Sequence, residues 1–395
     1  MNFKQAKSLD DQYVIGTYKR QPLLLVKGKG AFVWDSTGKK YLDFFSGLAV
    51  NNTGNCHPAV VRAIKQQAGV LMHTSNIYYT EPMLEVAEIL GKHFVGKVFF
   101  CNSGAEANEG AIKLARKWGS KNGGKFEIIT MDNSFHGRTV TTITATGQTK
   151  YQKGFDPLTP GFKYGQFNDL GSIEKLITKK TCAIMVEPIQ GEGGVNIGEI
   201  SFIKGLREIC DDNNILLIFD EVQTGIGRTG KMFAYEHYGV KPDIMTLAKG
   251  LGGGLPIGAM LAQPETAGYF EPGNHASTFG GNAVTCAAAK AVLLAIETEK
   301  LLENASSMGK VLLGKLTDFE RKYSFVKDVR GKGVMIGIEL EIEGAEIVTA
   351  AREKGLLINC TNDKVIRLLP PLTITLKEIN ACIKILDGIF AKIKK

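Results

Sequence analysis

The residues of this chain best suited to chemistry fall in seven short stretches. Asn102-Ser-Gly-Ala-Glu-Ala-Asn108 follows an apolar run ending at Phe100 and opens a helical stretch reaching about Trp118. Ser103 with Glu106 three residues on has the spacing of a capping box. A helix start beside a glycine leaves backbone N–H groups free, which makes an anion site. Ser103 Oγ and the N–H groups of Gly104 and Ala105 could therefore hold a phosphate, although the same residues also make an ordinary capped helix. In Ile215-Leu-Leu-Ile-Phe-Asp-Glu221, Asp220 ends a buried run, where open α/β sheets bind ligands. It could pair with a protonated ring nitrogen or cap the next turn, with Glu221 projecting the other way. In Thr246-Leu-Ala-Lys-Gly-Leu-Gly-Gly-Gly254, Lys249 ends another apolar run and precedes four glycines in five residues. Most lysines are surface solubilisers, but one in a dry site has a lowered pKa and can form a Schiff base.

The remaining stretches add partners. Ser134-Phe-His-Gly-Arg138 offers Phe135 to stack on a planar group and Arg138 to grip a carboxylate in bidentate fashion. His136 in the same stretch is either a base or a packed structural residue. Glu187-Pro-Ile-Gln-Gly-Glu-Gly-Gly194 runs from a strand end into a loop carrying Glu192. Ser277-Thr-Phe-Gly-Gly-Asn282 sets hydroxyls and glycines before a helix, a second phosphate-type signal. Val365-Ile-Arg-Leu-Leu-Pro-Pro371 puts Arg367 on a strand. Each signal is modest alone. Together, a phosphate cradle, a stacking aromatic, an acid for a ring nitrogen and a Schiff-base lysine are the parts that pyridoxal 5'-phosphate needs.

The elements that must position these residues are legible in outline. Ala31–Trp34, a turn at 35–38 and Tyr41–Phe45 read as a β hairpin after a short polar lead. From about 55 to 290, strand-length apolar runs alternate with helices: Val98–Phe100, Phe126–Met131, Cys182–Val186, Ile215–Phe219, Ile244–Leu247 and Ile257–Leu261. That pattern predicts an α/β fold with a mostly parallel central sheet covered by helices on both faces. Beyond it, a helix over Leu301–Lys322, strands over 334–340, 356–358 and 365–369, and a helix over 376–393 predict a smaller α+β domain, joined by the N-terminal hairpin. The expected division is 1–50, contributing to the small domain, 51–295 as the large domain and 296–395 as the small one.

Composition sets the outer bounds. The chain has 395 residues, 44% hydrophobic and 22% charged, which excludes a disordered or collagen-like chain. The 46 glycines exceed the usual share of roughly 7% and suggest many tight turns and close backbone approaches. Net charge is +8, spread along the chain apart from short runs such as Lys179-Lys180 and the tail Lys392–Lys395. No basic stripe with interleaved aromatics argues for nucleic acid. The seven cysteines are odd in number and show no CxxC spacing, which argues against a disulfide framework and a zinc cluster. No run approaches the length of a membrane span or a signal peptide. The expectation is a cytoplasmic protein that binds neither metal nor membrane.

At this point the sequence resembles a known family over essentially its whole length: the class III (ornithine-type) aminotransferases of fold type I. The resemblance rests on FFCNSGAEANEGAIKLARKW, SFHGRT, EPIQGEGG, FDEVQTGIGRTG, LAKGLGGGLPIGA, HASTFGGN and NCTNDKVIRLLPPL. It implies pyridoxal phosphate as cofactor, with Lys249 as the Schiff-base lysine and proton shuttle. Asp220 holds the ring nitrogen protonated, Val222 and Phe135 flank the ring, and Gln223 reaches the phenolic oxygen. Ser103, Gly104 and Ala105 bind the phosphate, with Thr278 supplied by a neighbouring subunit, so the resemblance implies a homodimer with sites at its interface. Arg138 and Arg367 bind substrate carboxylates beside Ser277, and Glu192 gates Arg367.

The substrates that this resemblance implies are N-acetylornithine and the pair 2-oxoglutarate/glutamate, in arginine biosynthesis. The gate has a physical rationale: a dicarboxylate needs two arginines, whereas with a monocarboxylate an unpaired buried arginine is costly. Ornithine enzymes of the family carry a tyrosine where this chain has Gly47, which favours an acylated substrate. N-succinylornithine, N-succinyl-L,L-diaminopimelate and ornithine- or GABA-type substrates stay open. The reading from a different class is a non-catalytic phosphate- or nucleotide-binding α/β protein. It lacks both G-x-x-x-x-G-K-[ST] and a G-x-G-x-x-G with its partner acid.

Overall fold

The polar lead is a helix, α1 (Phe3–Tyr13), whose start is a reciprocal cap between Asn2 and Gln5. A computed structural model describes residues 1–393; Lys394 and Lys395, the end of the basic tail, lie outside the described residues. The expected hairpin is present and gains a strand. β1 (Leu25–Lys29), β2 (Phe32–Asp35) and β3 (Lys40–Asp43) pair antiparallel in sequence. Asp35 sets the turn: its carboxylate accepts from the Thr37 N–H at 2.8 Å and the Tyr41 hydroxyl at 2.7 Å. Short α2 (Ser46–Ala49) and the helices α3 (Pro58–Ala68) and α4 (Glu81–Phe94) lead to the main sheet.

That sheet has seven strands: β4 (Lys97–Cys101), β5 (Glu127–Met131), β6 (Phe162–Gly165), β7 (Thr181–Val186), then, after the two-residue β8 (Ile189–Gln190) and β9 (Asn196–Ile197), β10 (Leu216–Asp220), β11 (Ile244–Leu247) and β12 (Gly258–Ala262). Their order is β4-β12-β11-β10-β7-β5-β6. All neighbours are parallel except those of β12, which runs antiparallel to both β11 and β4. The reason lies in the linker. Only residues 248–257 separate β11 from β12, too few for a crossover, so the chain must turn back. The sequence reading of a mostly parallel sheet therefore stands with this one reversal, and it places the glycine-rich turn after Lys249 at the sheet edge.

Both faces of the sheet are covered. Ile128, Met185 and Ile218 pack with Leu114 and Trp118 of α5 (Gly104–Lys121) on one side. Their chain neighbours Ile129, Ile184 and Leu217 pack with Leu206 on the other. This alternation within fully apolar strands is the signature of a sheet buried on both faces.

The C-terminal hundred residues form a second sheet. β13 (Val326–Lys332), β14 (Met335–Leu340), the pair-forming β15 (Leu356–Leu357), β16 (Asn359–Thr361) and β17 (Val365–Leu368) complete the strands. β13-β14-β17-β16 is antiparallel, whereas β15 joins β3 in parallel, so strands from both ends of the chain share one sheet. The helix at Leu301–Lys322 has the expected ends. β6, β13 and the helix Ala345–Glu353 were not expected, because each is short and mixes polar with apolar residues. Among the described residues no helix is long and apolar enough to cross a membrane.

Candidate active site

The strand ends of β4, β5, β7, β10 and β11 open on one cavity of about 490 Å³. Ser103, Gly104, Ala105, Phe135, Arg138, Glu192, Asp220, Val222, Gln223 and Lys249 all line it. Residues more than a hundred positions apart thus meet, as open α/β sheets dictate.

At one wall, Ser103 caps α5: its Oγ accepts from the Glu106 N–H at 3.2 Å. The expected capping box is only half formed. Glu106 reaches one residue further back and accepts from the Asn102 N–H at 2.7 Å. Gly104 and Ala105 occupy the first helical turn, where N–H groups have no intrahelical acceptor. Gly104 is required there, since a Cβ would lie 2.7 Å from Val222 Cγ1. The donor set suits a phosphate resting against a helix start.

Asp220, at the end of β10, is almost fully buried. Its Oδ2 accepts from Asn108 Nδ2 at 2.7 Å and lies 2.7 Å from His136 Nδ1. Its Oδ1 accepts from the Val222 N–H at 3.0 Å. Asn108 is fixed in turn by the Thr246 hydroxyl at 2.7 Å. A carboxylate only accepts, so Nδ1 of His136 carries the proton. His136 resolves as a support for Asp220, the structural alternative of the sequence reading. Glu221 turns away, accepting from the N–H groups of Ala234 and Tyr235 at 2.6 and 2.8 Å.

Lys249 lies in the left-handed backbone region, φ 42°, a strained setting that recurs at functional sites. Burial pushes its ammonium pKa down, Glu192 opposes this, and Arg367 reinforces it. Phe135 is tied by its N–H to Glu187 Oε2 at 3.0 Å, and Gly191 donates to the other oxygen at 3.2 Å. Burial raises the Glu187 carboxyl to about 7, against the pull of His136. Arg138 is exposed, its guanidinium 4.0 Å above the Tyr151 ring.

Arg367 is fully buried. Its Nη1 donates to Glu192 Oε1 at 2.8 Å and Gln223 Oε1 at 3.1 Å, and its Nη2 has no partner. Burial alone would raise the Glu192 carboxyl, but Arg367 and Lys249 hold it below the usual range. Ser277 and Thr278 do not line the cavity of their own chain. Ser277 Oγ accepts from the Gly280 N–H at 3.0 Å and from Asn102 at 3.2 Å, and Thr278 is exposed beside it.

Sequence reasoning assigned no role to Asn108, Glu187, Val50 or Tyr151. Only Asn108 left a signal: it interrupts the buried stripe of Ala107, Ala111 and Ala115 on α5.

This geometry agrees with the comparisons. The family model for class III aminotransferases matches residues 15–390. The chain is 55% identical over 390 residues to acetylornithine aminotransferase of Methanocaldococcus jannaschii, covering 98% of each chain. It superposes on the acetylornithine aminotransferase of Elizabethkingia anophelis with a TM-score of 0.89, at 36% identity and 100% coverage of both chains. An ornithine aminotransferase of Toxoplasma gondii, described as showing partial occupancy of pyridoxal phosphate at its active site, superposes with a TM-score of 0.94. That match has 35% identity and covers 98% of this chain and 94% of the other. The chain belongs to the class III aminotransferases. It is a transaminase, with the fold type I architecture and the pyridoxal phosphate dependence of that class.

Proposed function

We propose that this aminotransferase moves the amino group of N2-acetyl-L-ornithine to 2-oxoglutarate, in arginine biosynthesis. The products are N-acetyl-L-glutamate 5-semialdehyde and L-glutamate. The observation that carries the substrate reading is the Arg367–Glu192 pair at 2.8 Å: Glu192 lines the cavity with Lys249, and Arg367 is buried behind it, covered from the cavity. An arginine with an exchangeable carboxylate partner suits an enzyme that alternates between a monocarboxylate and a dicarboxylate. The name of the Methanocaldococcus jannaschii relative points the same way. Gly47, where ornithine enzymes carry tyrosine, favours the acylated substrate.

When bound, pyridoxal phosphate supplies an electron sink and carries the amino group between the two half-reactions. Ser103 Oγ and the N–H groups of Gly104 and Ala105 hold its phosphate, and Phe135 and Val222 flank its ring. Asp220 holds a proton on the ring nitrogen, kept in place by His136 and Asn108. Gln223 faces the phenolic oxygen. Lys249 is the amine that would hold the cofactor, and its Nζ would move the proton at the amino-bearing carbon of the substrate. Arg138 takes one substrate carboxylate, and Arg367 takes the second carboxylate of a dicarboxylate when Glu192 withdraws.

Thr278 completes the phosphate site of a second copy, which makes the active unit a homodimer. Its support is the exposed apolar stretch Ile77-Tyr78-Tyr79 and Phe279, which Asn76 joins by bonds to the carbonyls of Ser277 and Gly280. The division at 1–50, 51–295 and 296–395 is supported by the separation of the seven-stranded sheet from the β13-β14-β17-β16 sheet and by the β3–β15 pairing, which joins the two ends of the chain. The seven cysteines are free, which suits the reducing cytoplasm.

The test is the visible spectrum of the protein loaded with pyridoxal phosphate. Adding N-acetylornithine alone should bleach the yellow band, and 2-oxoglutarate should restore it. A band that bleaches with glutamate but ignores N-acetylornithine would overturn the substrate and leave the transaminase.

A further inference from the structure

The loop that carries Glu192 has bonds of its own, from Asn196 Nδ2 to Gln190 Oε1 at 3.0 Å and to the Gly193 carbonyl at 3.2 Å, but they do not reach its strained residues. It is the turn between β8 and β9, and its backbone sits in the left-handed region at Gly194 (φ 120°) and Val195 (φ 56°). A β-branched residue is strongly disfavoured there, so local preference would unwind the turn. Contacts from the C-terminal sheet hold the strained residues in place.

Arg330, on β13, spends most of its guanidinium on this turn. Its Nη2 donates to the Gly194 carbonyl at 2.7 Å and to Asn196 Oδ1 at 3.1 Å, and its Nε donates to the Val195 carbonyl at 3.1 Å. Its Nη1 is anchored by Asp328 and Glu339, each at 2.6 Å. Thr361, on β16, donates its hydroxyl to the carbonyl of Glu192 itself. Val195 is fully buried with Met335 and Leu369. Gly337 makes room for it, since a Cβ there would come within 3.0 Å of Val195 Cβ. The sheet that supplies these holds also carries Arg367, on β17.

We propose that Arg330, assisted by Thr361, is a specificity-determining positioning residue: it fixes the backbone beneath Glu192 so that its carboxylate meets Arg367. With the backbone pinned on both sides, the pair opens by rotation of the Glu192 side chain, not by movement of the loop. Release of the turn lowers the local concentration of the Glu192 carboxylate at Arg367. Arg367 then stands free more of the time, which favours a dicarboxylate over a monocarboxylate. A general weakening of the fold would instead slow both half-reactions alike. The inference rests on the reading of Glu192 as a gate, so the experiment carries Glu192→Ala as its internal reference.

The measurement is kcat/KM of each half-reaction, with glutamate and with N-acetylornithine, for the pyridoxal phosphate-loaded dimer. Arg330→Met should shift the ratio toward glutamate by roughly three- to tenfold, the scale of coupling within one hydrogen-bond network. Arg330→Lys, which keeps the charge but not the forked geometry, should recover part of the shift. Thr361→Val should shift the ratio the same way by less, and it carries the test if Arg330→Met does not fold. A ratio that moves with Glu192→Ala but stays put in Arg330→Met and Thr361→Val overturns the proposal and leaves the gate. A ratio unmoved by Glu192→Ala removes the gate, and this inference falls with it.

Discussion

At the sheet edge, Asp220 is met by three protein groups, and one of them, Asn108, is itself held by Thr246. Behind Glu192 and Gln223, which line the same cavity, Arg367 is just as buried, yet one of its terminal nitrogens has no partner and the other shares its bonds between those two residues. The two charges serve different ends. A buried charge held by several protein donors is fixed, because any rearrangement leaves a desolvated group unpaired. A buried charge with donors to spare can exchange one carboxylate for another at little cost. The sheet edge holds the part of the chemistry common to both half-reactions. The second sheet holds the part that must change between substrates.

The largest way to break the sheet-edge side is Lys249→Ala. Loss of the anchoring and proton-moving amine should cut the rate of both half-reactions by about 10⁴-fold or more, measured by single-turnover absorbance changes. A residual rate within a hundredfold of the original would remove Lys249 from its role. Next comes His136→Phe, which deletes one charge-assisted bond to Asp220. That bond is worth about 1.5–3 kcal/mol, so kcat should fall roughly 10- to 150-fold, equally for both substrates. An unequal fall would show that the two ends of the cavity are not separable.

Glu192→Ala probes the other side. It should lower kcat/KM for N-acetylornithine by roughly tenfold, because Arg367 is left buried and unpaired, and spare glutamate. Equal losses in steady-state assays of both substrates would abolish the contrast. Smaller again is Tyr151→Leu, which removes the ring beneath the Arg138 guanidinium. A cation–π contact worth about 0.5–1 kcal/mol predicts a rise in KM of roughly two- to fivefold.

The smallest expected effect is one of pH. The Glu192 carboxyl is held below its usual range, so it is ionised throughout the neutral region. A depressed acid contributes stability that is present above its unfolded pKa and lost as pH falls through its folded one. The glutamate-to-acetylornithine ratio should therefore be flat between about pH 6 and 8, given an unperturbed Glu pKa of about 4.3. It should turn toward glutamate only on stronger acidification. A ratio that swings near neutrality would mean that Glu192 changes its charge, not its position.

Much of the sheet-edge side was legible in the sequence. Asp220 and Lys249 end near-continuous apolar runs, and such runs become buried parallel strands whose carboxyl ends converge. Ser103, Gly104 and Ala105 announce a helix start by residue type. The second side was legible only in part. Glu192 and Arg367 stood out by residue type and place, but their meeting came only through family resemblance, since a glutamate in a glycine-rich loop and an arginine on a short strand carry no local signal of meeting. Arg330 and Thr361 left no signal, because the carbonyls they hold in the Glu192 turn lie more than a hundred residues away. The helix α1, the strands β6 and β13 and the reversal at β12 were missed for related reasons. Weak amphipathic patterns do not stand out, and strand direction depends on linker length as well as on apolar content.

The sequence by itself therefore determined the strongly patterned elements, the class of sheet and the residues at its carboxyl edge, because periodicity and strand-end chemistry are local properties. Only the tertiary structure decided which charges are satisfied, which are left open, and what holds the Glu192 turn against its own backbone preference. Those depend on donors and acceptors brought together from distant segments, and burial then makes each unmet partner costly enough to matter.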